Sequence, residues 1–368
     1  MSTTTTAAVV ETPGGEFVLQ QVELSDLRPN EVLVDIKAAG LCHTDLSVAS
    51  GGLPFPLPGV LGHEGAGVVA AVGSAVTRVV PGDHVVLSFT SCGHCANCRD
   101  GHPAYCDTWL SDNLIGGKRA DGSSPIERDG TQLGGRFFGQ SSFAHQSVAD
   151  ERSVVKLKTL LPWEQVAPVA CGVQTGAGAV WNAIKPAAGS SLVVFGAGTV
   201  GLSAIMAAAL TPATTIIAVD RVGSRLELAL EVGATHTIQA DPGIDVPARI
   251  QELTGGGAHA AIEATGSTAV LEQAVASTRA RGHVVAVGAP PFGATAAIDV
   301  NFIMPGRRVE GLTLGDSEIQ TLIPAIIALA EAGRFPVDRL VKTYPLTDIN
   351  RAVDDTRNGT AIKAVLIP

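Results

Sequence analysis

Residues 191–220 read SLVVFGAGTVGLSAIMAAALTPATTIIAVD. The apolar run 192–195 predicts a buried strand, and Gly196, Gly198 and Gly201 follow it as G-x-G-x-x-G. Residues 202–210 are Ala-rich and helix-forming, Thr211-Pro212 stops them, and 215–219 form a second, β-branched strand ending at Asp220. Glycines at this spacing allow a tight turn, close backbone approach to a pyrophosphate, and close helix–strand packing. The helix start offers free N–H groups and a positive dipole end to phosphates. Asp220 stands where an acid accepts the ribose hydroxyls of NAD. A lone Gly pattern is weak, but strand, turn, helix, strand and acid in this order point to dinucleotide binding. The stretch is apolar enough to mimic a membrane span, yet three glycines and a β-branched strand suit an α/β core better. A packing loop that binds nothing would not need the acid.

Downstream the rhythm continues: helix 224–232 ending at Gly233-Ala234, strand 236–238, helix 246–253, strand 258–263, helix 268–280, and strand 283–287 ending at Gly288. Such βαβ alternation predicts a doubly wound parallel sheet with helices on both faces. Upstream the chain is β-rich, with strands at 17–22, 31–36, 61–72 and 83–89 and a Pro81-Gly82-Asp83 turn. Residues 107–140 are polar and Gly-rich and read as a long surface loop. A helical pattern starts at Leu161 and runs past Cys171 toward Trp181. After about residue 310 a helix near 319–332 and a last strand near 362–367 remain. The expected fold is therefore α/β: a Rossmann-type domain, 174–310, inserted into a β-rich domain made of 1–173 and 311–368.

The 368 residues suffice for two full cores. Apolar residues make up 46% and charged ones 16%, so the chain is globular rather than disordered. A formal net charge of −10 leaves no basic footprint for nucleic acid. The start, MSTTTTAAVV, lacks a charged n-region and a long apolar h-region. The expectation is a cytoplasmic protein with no membrane partner, and there clustered cysteines bind metal more often than they pair.

Six cysteines divide into two groups. Cys92, Cys95, Cys98 and Cys106 lie within a lobe at 91–107, and four thiolates on a short loop suit one tetrahedral zinc closed to water. A [4Fe–4S] cluster would call for a different last spacing, and a redox C-x-x-C does not use four cysteines. Such a closed site is structural. Cys42 and Cys171 each sit in a Gly-flanked turn, with Gly62-His63-Glu64-Gly65 between them. Two thiolates and an imidazole can hold a zinc with an open fourth position. Buried free cysteines are the equal alternative at this level.

Taken together, G-L-C-H-T-D (40–45), G-H-E-G-A-G (62–67), the four-cysteine lobe, Cys171-Gly172, G-A-G-T-V-G with Asp220, and Val287-Gly288 resemble the zinc-dependent medium-chain alcohol dehydrogenases across nearly the whole chain. The opening G-L-C-H-T-D-L and the segment ending in GRFFGQSSFA look most like bacterial aryl-alcohol (benzyl-alcohol) dehydrogenases. The resemblance implies a GroES-like catalytic domain, two Zn2+ per chain, and NAD-linked, zinc-assisted hydride transfer between primary alcohols and aldehydes. It assigns Cys42, His63 and Cys171 to the catalytic zinc, Glu64 to the acid behind it, Asp45 to orienting His63, and Thr44 to the hydroxyl that meets the alcohol. It assigns His43, Thr175, Gly196, Gly198, Val200, Gly201, Asp220, Arg225, Val287, Ala289 and Lys363 to the cofactor. Leu53, Phe89, Leu110, Phe137 and Phe138 match substrate-channel positions. Ser47 stands where many relatives carry the His that ends a proton relay, so protons are expected to leave through Thr44, the nicotinamide ribose and water, with Ser47 at most a relay. His43 replaces an Arg. The resemblance implies a homodimer or homotetramer formed by pairing nucleotide domains edge to edge, through a strand expected near 298–303. Arg119, Arg128 and Arg136 keep open a thiol-adduct formaldehyde dehydrogenase. A zinc-stabilised dinucleotide-binding protein without catalysis is the alternative of another class.

Overall fold

A computed structural model describes residues 3–368. The chain forms two compact units: Met1–Cys171 with Glu318–Ala332 and Val337–Pro368, and Gly172–Ser317 with Gly333–Pro336.

The second unit is a six-stranded sheet: β1 (Ser191–Phe195), β2 (Thr215–Asp220), β3 (His236–Gln239), β4 (Ala258–Glu263), β5 (Thr278–Ala286) and β6 (Arg308–Gly311). All neighbours are parallel, in the order β3-β2-β1-β4-β5-β6. Strand order thus reverses between β1 and β4, the place where doubly wound sheets take nucleotides. Every residue of β1 is buried, as a central parallel strand covered on both faces must be. Helices α1 (Thr199–Ala209), α2 (Gly223–Glu231), α3 (Val246–Thr254) and α4 (Thr268–Ala276) connect the strands. Val193, Phe195, Ile217, Val219, Ile250 and Val284 share one core.

Two local readings change. Helix α4 stops at Ala276 because the hydroxyls of Ser277 and Thr278 fold back onto Gln273 O and Val275 O, at 2.6 and 2.9 Å. The segment near 298–303 is no strand: Asp299 accepts from Asn301 N at 2.8 Å and starts the short helix Val300–Ile303, leaving β6 as the sheet edge. The unit reaches past residue 310 because the following loop is tied to it. Ser317 Oγ meets Gln174 Oε1 at 2.7 Å, and Gly178 packs so close to Gly315 that a Cβ would lie 2.1 Å from its oxygen.

The first unit holds two sheets. One runs Gly59–Val60, Thr3–Val10, Phe17–Leu24, Ile126–Arg128, Thr131–Gln132. In the other, Glu31–Gly40 lies between Gly65–Val72 and the last strand, Lys363–Ile367. Val365 pairs with Gly40 and Leu366 with Ala39, so the C-terminus lands beside the Cys42 turn. The span 107–140 is more than a surface loop. It supplies a hairpin to the first sheet, and Arg119 grips buried Glu31 with two 2.7 Å bonds. The helix expected from Leu161 breaks at Cys171 (φ −141, ψ −82), which separates a 3-10 turn at Ala167–Ala170 from Gly172–Gly178. Among the described residues no helix is long and apolar enough to cross a membrane.

Candidate active site

Local sequence explains how Cys42, His63 and Cys171 meet. Cys42 caps the helix His43–Ala49, and Asp45 in its first turn accepts from Cys42 N at 2.9 Å. The other Asp45 oxygen takes Gly62 N at 3.1 Å and His63 Nδ1 at 3.0 Å. One fully buried carboxylate therefore caps a helix, fixes a turn and sets the imidazole's orientation. Donor atoms of Cys42, His63, Glu64 and Cys171 all lie within 4.8 Å of one another. His63 Nε2 is buried with no hydrogen-bond partner, and none of the six cysteines is in a disulfide. A buried, unpartnered imidazole nitrogen among thiols is costly unless a cation takes its lone pair, so this donor set fits zinc.

The electrostatics agree. A hydrogen bond with Cys171 holds the Cys42 thiol well below its ordinary range, while the same bond and burial push Cys171 up. Burial opposes charge on His63, but Asp45 and Cys42 outweigh it and raise its pKa to about 10. Burial lifts Glu64 to about 7 against the pull of Lys363. Metal uptake here therefore displaces protons.

Thr44 Oγ1 lies 3.8 Å from Cys42 Sγ, and Ser47 is half-buried one turn further along the same helix. His43 is exposed. The aromatic residues need separating. Phe138 stacks on the His63 ring at 4.4 Å and Phe137 meets it edge-on at 5.3 Å. Phe55 and Trp109, which sequence reasoning missed, pack on Phe137 and Phe138. Phe89 is core-buried, Leu53 half-buried and Leu110 exposed.

Lys363 requires a correction. Expected at the pyrophosphate, it is 2% exposed, and its ammonium donates to both Glu64 oxygens at 2.8 and 2.9 Å and to Leu41 O at 3.0 Å. The arginines of the long loop are engaged too. Arg119 and Arg136 meet Glu31, and Arg128 meets Glu11 and Gln20.

Sulfurs of Cys92, Cys95, Cys98 and Cys106 lie within 4.8 Å of one another. Backbone N–H groups point at them: Cys92 N to Cys106 Sγ at 3.2 Å, Cys95 N to Cys92 Sγ at 3.3 Å. N–H groups of Asp107 and Cys98 bring Cys95 down to about 6, whereas burial lifts Cys98 to about 12. Four preset sulfurs fit a second zinc, and among the described residues no further His, Cys, Asp or Glu joins that group.

In the nucleotide unit, Gly196 turns with φ 94. A Cβ on Gly201 would meet Gly196 O at 1.7 Å, while one on Gly198 would meet nothing within 4 Å. Gly198 starts α1 with no side-chain cap, so the first N–H groups of that helix face the open side of the turn. That cradle fits a pyrophosphate. Val200 lies in the first turn of α1. Asp220 accepts from Ala197 N at 2.6 Å and Val222 N at 2.9 Å, so it also braces the loop. Arg225, in the first turn of α2, has a buried Nε with no partner. Val287 and Ala289 follow β5 at the same sheet end, where Glu263, also missed, accepts from Thr265 N and Gly266 N at 2.6 and 3.0 Å. Thr175 is buried within Gly172–Gly178.

Residues 28–159 match the family description "Alcohol dehydrogenase GroES-like domain", and 199–328 match "Zinc-binding dehydrogenase". The geraniol dehydrogenase of Castellaniella defragrans is 42% identical over 362 residues, 98% of this chain and 97% of that protein. The crystal structure of benzyl alcohol dehydrogenase from Acinetobacter calcoaceticus superposes with a TM-score of 0.95 at 42% identity, covering 99% of both chains. An alcohol dehydrogenase zinc-binding domain protein from Burkholderia ambifaria gives 0.97 at 48% identity over 100% of both.

Proposed function

The chain belongs to the zinc-dependent medium-chain alcohol dehydrogenases, and from that premise we propose that it oxidises primary aryl or allylic alcohols to aldehydes with NAD+. Cys42, His63 and Cys171 would hold the reactive zinc, and Cys92, Cys95, Cys98 and Cys106 a structural one. When bound, the zinc supplies Lewis acidity toward the alcohol oxygen, and NAD+ supplies the hydride acceptor. Thr44 receives the hydroxyl proton and passes it toward water, directly or through Ser47. Asp45 keeps His63 in the tautomer whose Nε2 lone pair is free. Asp220 would accept hydrogen bonds from the adenosine ribose hydroxyls and disfavour a 2′-phosphate, Arg225 would serve the adenosine side, and Gly196, Gly198 and Gly201 would let the backbone approach the pyrophosphate.

The observation that carries the substrate class is the aromatic group at the ligand His63: Phe137 and Phe138 on the ring, Phe55 and Trp109 behind them. Such walls favour a flat, apolar alcohol over ethanol. Names of two relatives, geraniol and benzyl alcohol dehydrogenase, lie within that class. A thiol-adduct formaldehyde dehydrogenase is the second reading; Arg119, Arg128 and Arg136, which would favour it, pair with internal carboxylates, while one relative, 34% identical over 99% of this chain, is named S-(hydroxymethyl)glutathione dehydrogenase. A kinetic panel of benzyl, cinnamyl, terpene and short aliphatic alcohols with NAD+ and NADP+ tests the reading. Benzyl alcohol is expected to exceed ethanol in kcat/KM by about tenfold or more, about 1.4 kcal/mol. Comparable values would reject it.

We also propose that the cytoplasmic enzyme self-associates through the edge of the nucleotide unit. There β6 is unpaired on one side, and Val300 and Met304 are 65% and 75% exposed. Sedimentation at micromolar concentration would give a monomer if this is wrong.

A further inference from the structure

We propose that Gln140 is a positioning residue that ties the turn carrying His63 to the turn carrying Cys171. The proposal rests on the reading that Cys42, His63 and Cys171 hold the reactive zinc. Gln140 is fully buried. Its Nε2 donates to His63 O at 3.0 Å and to Ser88 O at 2.9 Å, and its Oε1 accepts from Gly65 N at 3.0 Å. One amide thus holds the backbone on both sides of Glu64. Ser88 extends the link, because its Oγ donates to Ala170 O, the residue before Cys171, at 2.6 Å.

The chemistry requires a primary amide. Two carbonyls need two donors and Gly65 N–H needs an acceptor. A carboxylate offers no donor, and an ammonium no acceptor. The rest of the turn makes the same grip. Ser142 N and Phe143 N donate to Gly62 O and Leu61 O at 2.8 and 3.0 Å, and Ser141 Oγ donates to Val60 O at 2.7 Å. Across Phe138, Ser141 N donates to Phe137 O at 3.1 Å and Phe137 N donates to Ser141 Oγ at 2.9 Å, and between them Phe138 stands at φ 52, a left-handed conformation that a bulky residue adopts at a cost, and stacks on His63. The turn therefore fixes both the carbonyl and the ring of the same ligand. Donor positions must hold to within about 0.5 Å for a metal site to keep its affinity, and partners behind the ligands set that tolerance.

The test is zinc content and zinc release from the full-length protein. Cys171→Ser comes first and should lose the reactive-site metal while the four-cysteine metal stays. If it keeps both, the ligand assignment itself fails. Gln140→Met should release the reactive-site metal to a chelator about 10–100-fold faster than wild type. Its four-cysteine metal, far-UV dichroism and NADH binding should be unchanged. With Co2+ in place of zinc, its visible absorption band should shift or broaden. Ser88→Ala, a milder variant, should speed release less, and its effect should shrink in the Gln140→Met background if both act along one link. Unchanged release and an unchanged Co2+ band in Gln140→Met would overturn the proposal. So would joint loss of both metals and of the fold, which would mark general packing, or additive effects of the two substitutions.

Discussion

Lys363 Nζ lies 2.8 Å from Glu64 Oε1 and 2.9 Å from Oε2, with both side chains buried directly behind the Cys42–His63–Cys171 set. The ammonium occupies both oxygens of a carboxylate close enough to the other donors to join them. Removing one partner of such a pair strands a charge at a cost of about 3–5 kcal/mol. Lys363→Met is therefore expected to lower Tm, and Glu64 must then take up a proton or turn to the metal. Lys363→Met/Glu64→Gln should recover much of the loss. Because Lys363 points at Glu64, the Kd for NADH should change by less than about twofold. A tenfold weaker Kd with unchanged Tm would return Lys363 to the cofactor.

Asp220 carries two duties that one substitution pattern can separate. Its carboxylate braces Ala197 N and Val222 N, and its charge is set against a 2′-phosphate. Asp220→Asn removes the charge and keeps one acceptor oxygen, so one of the two bracing bonds survives and the other is lost. Asp220→Ala removes both. Each should raise the NADP+/NAD+ ratio of kcat/KM by about tenfold or more, as expected for losing a charged hydrogen-bond acceptor. Asp220→Ala should also weaken binding of both nicotinamide cofactors, and by more than Asp220→Asn, because it removes both bracing bonds and Asn only one. Equal ratios in wild type and both variants would remove Asp220 from cofactor choice.

What the sequence made legible followed from local spacing. The βαβ rhythm gave the parallel sheet, and the two cysteine groups gave two donor sets that the fold draws together. What it hid depended on distant partners. The resemblance assigns Lys363 to the cofactor, but Val365 and Leu366 pair with Gly40 and Ala39, which carries it under the Cys42 turn. Gln140 sits in a polar, Gly-rich stretch, and nothing within that stretch says its amide will meet His63 O and Ser88 O. The span 107–140 looks like solvent-exposed loop because its charges read as surface charges, whereas Arg119 is buried on Glu31. Residues 298–303 are apolar enough for a strand, but an Asp cap tipped them into a helical turn.

The four-cysteine lobe should fail separately from the reactive centre. Its one α-helix, Ala96–Arg99, is four residues long and buries nothing, and the 3-10 turn Pro103–Tyr105 buries only Pro103 and Ala104, so packing holds the lobe weakly without the metal. Cys106→Ser is expected to lose one zinc per chain, lower Tm and open the lobe to proteases. Activity per remaining reactive-site zinc should stay near wild type, since no lobe residue belongs to that donor set. Arg152 ties the lobe to the body by donating to Ser91 O and Cys92 O, so Arg152→Ala should speed lobe proteolysis without removing zinc. Loss of both metals together in Cys106→Ser would show the two sites to be one cooperative unit.

On the proposed reading, Ser47 stands beside the path by which protons leave Thr44. It lies three residues after Thr44 on the helix His43–Ala49, on the same side of that helix and half-buried. A hydroxyl cannot act as a base near neutrality, so the wild-type relay must end in water. Ser47→His would place a group of ordinary pKa about 6.5 at that end, neutral and able to accept a proton above that pH. Alcohol oxidation should then gain at the acid side of the profile: the pH at which kcat/KM falls to half should move down, toward about 6.5, while the alkaline plateau stays. Aldehyde reduction should gain below that pH, where the imidazolium can return the proton. Measuring kcat/KM for benzyl alcohol from pH 5.5 to 9.5 in both proteins checks this, and superimposable profiles would remove Ser47 from the proton path.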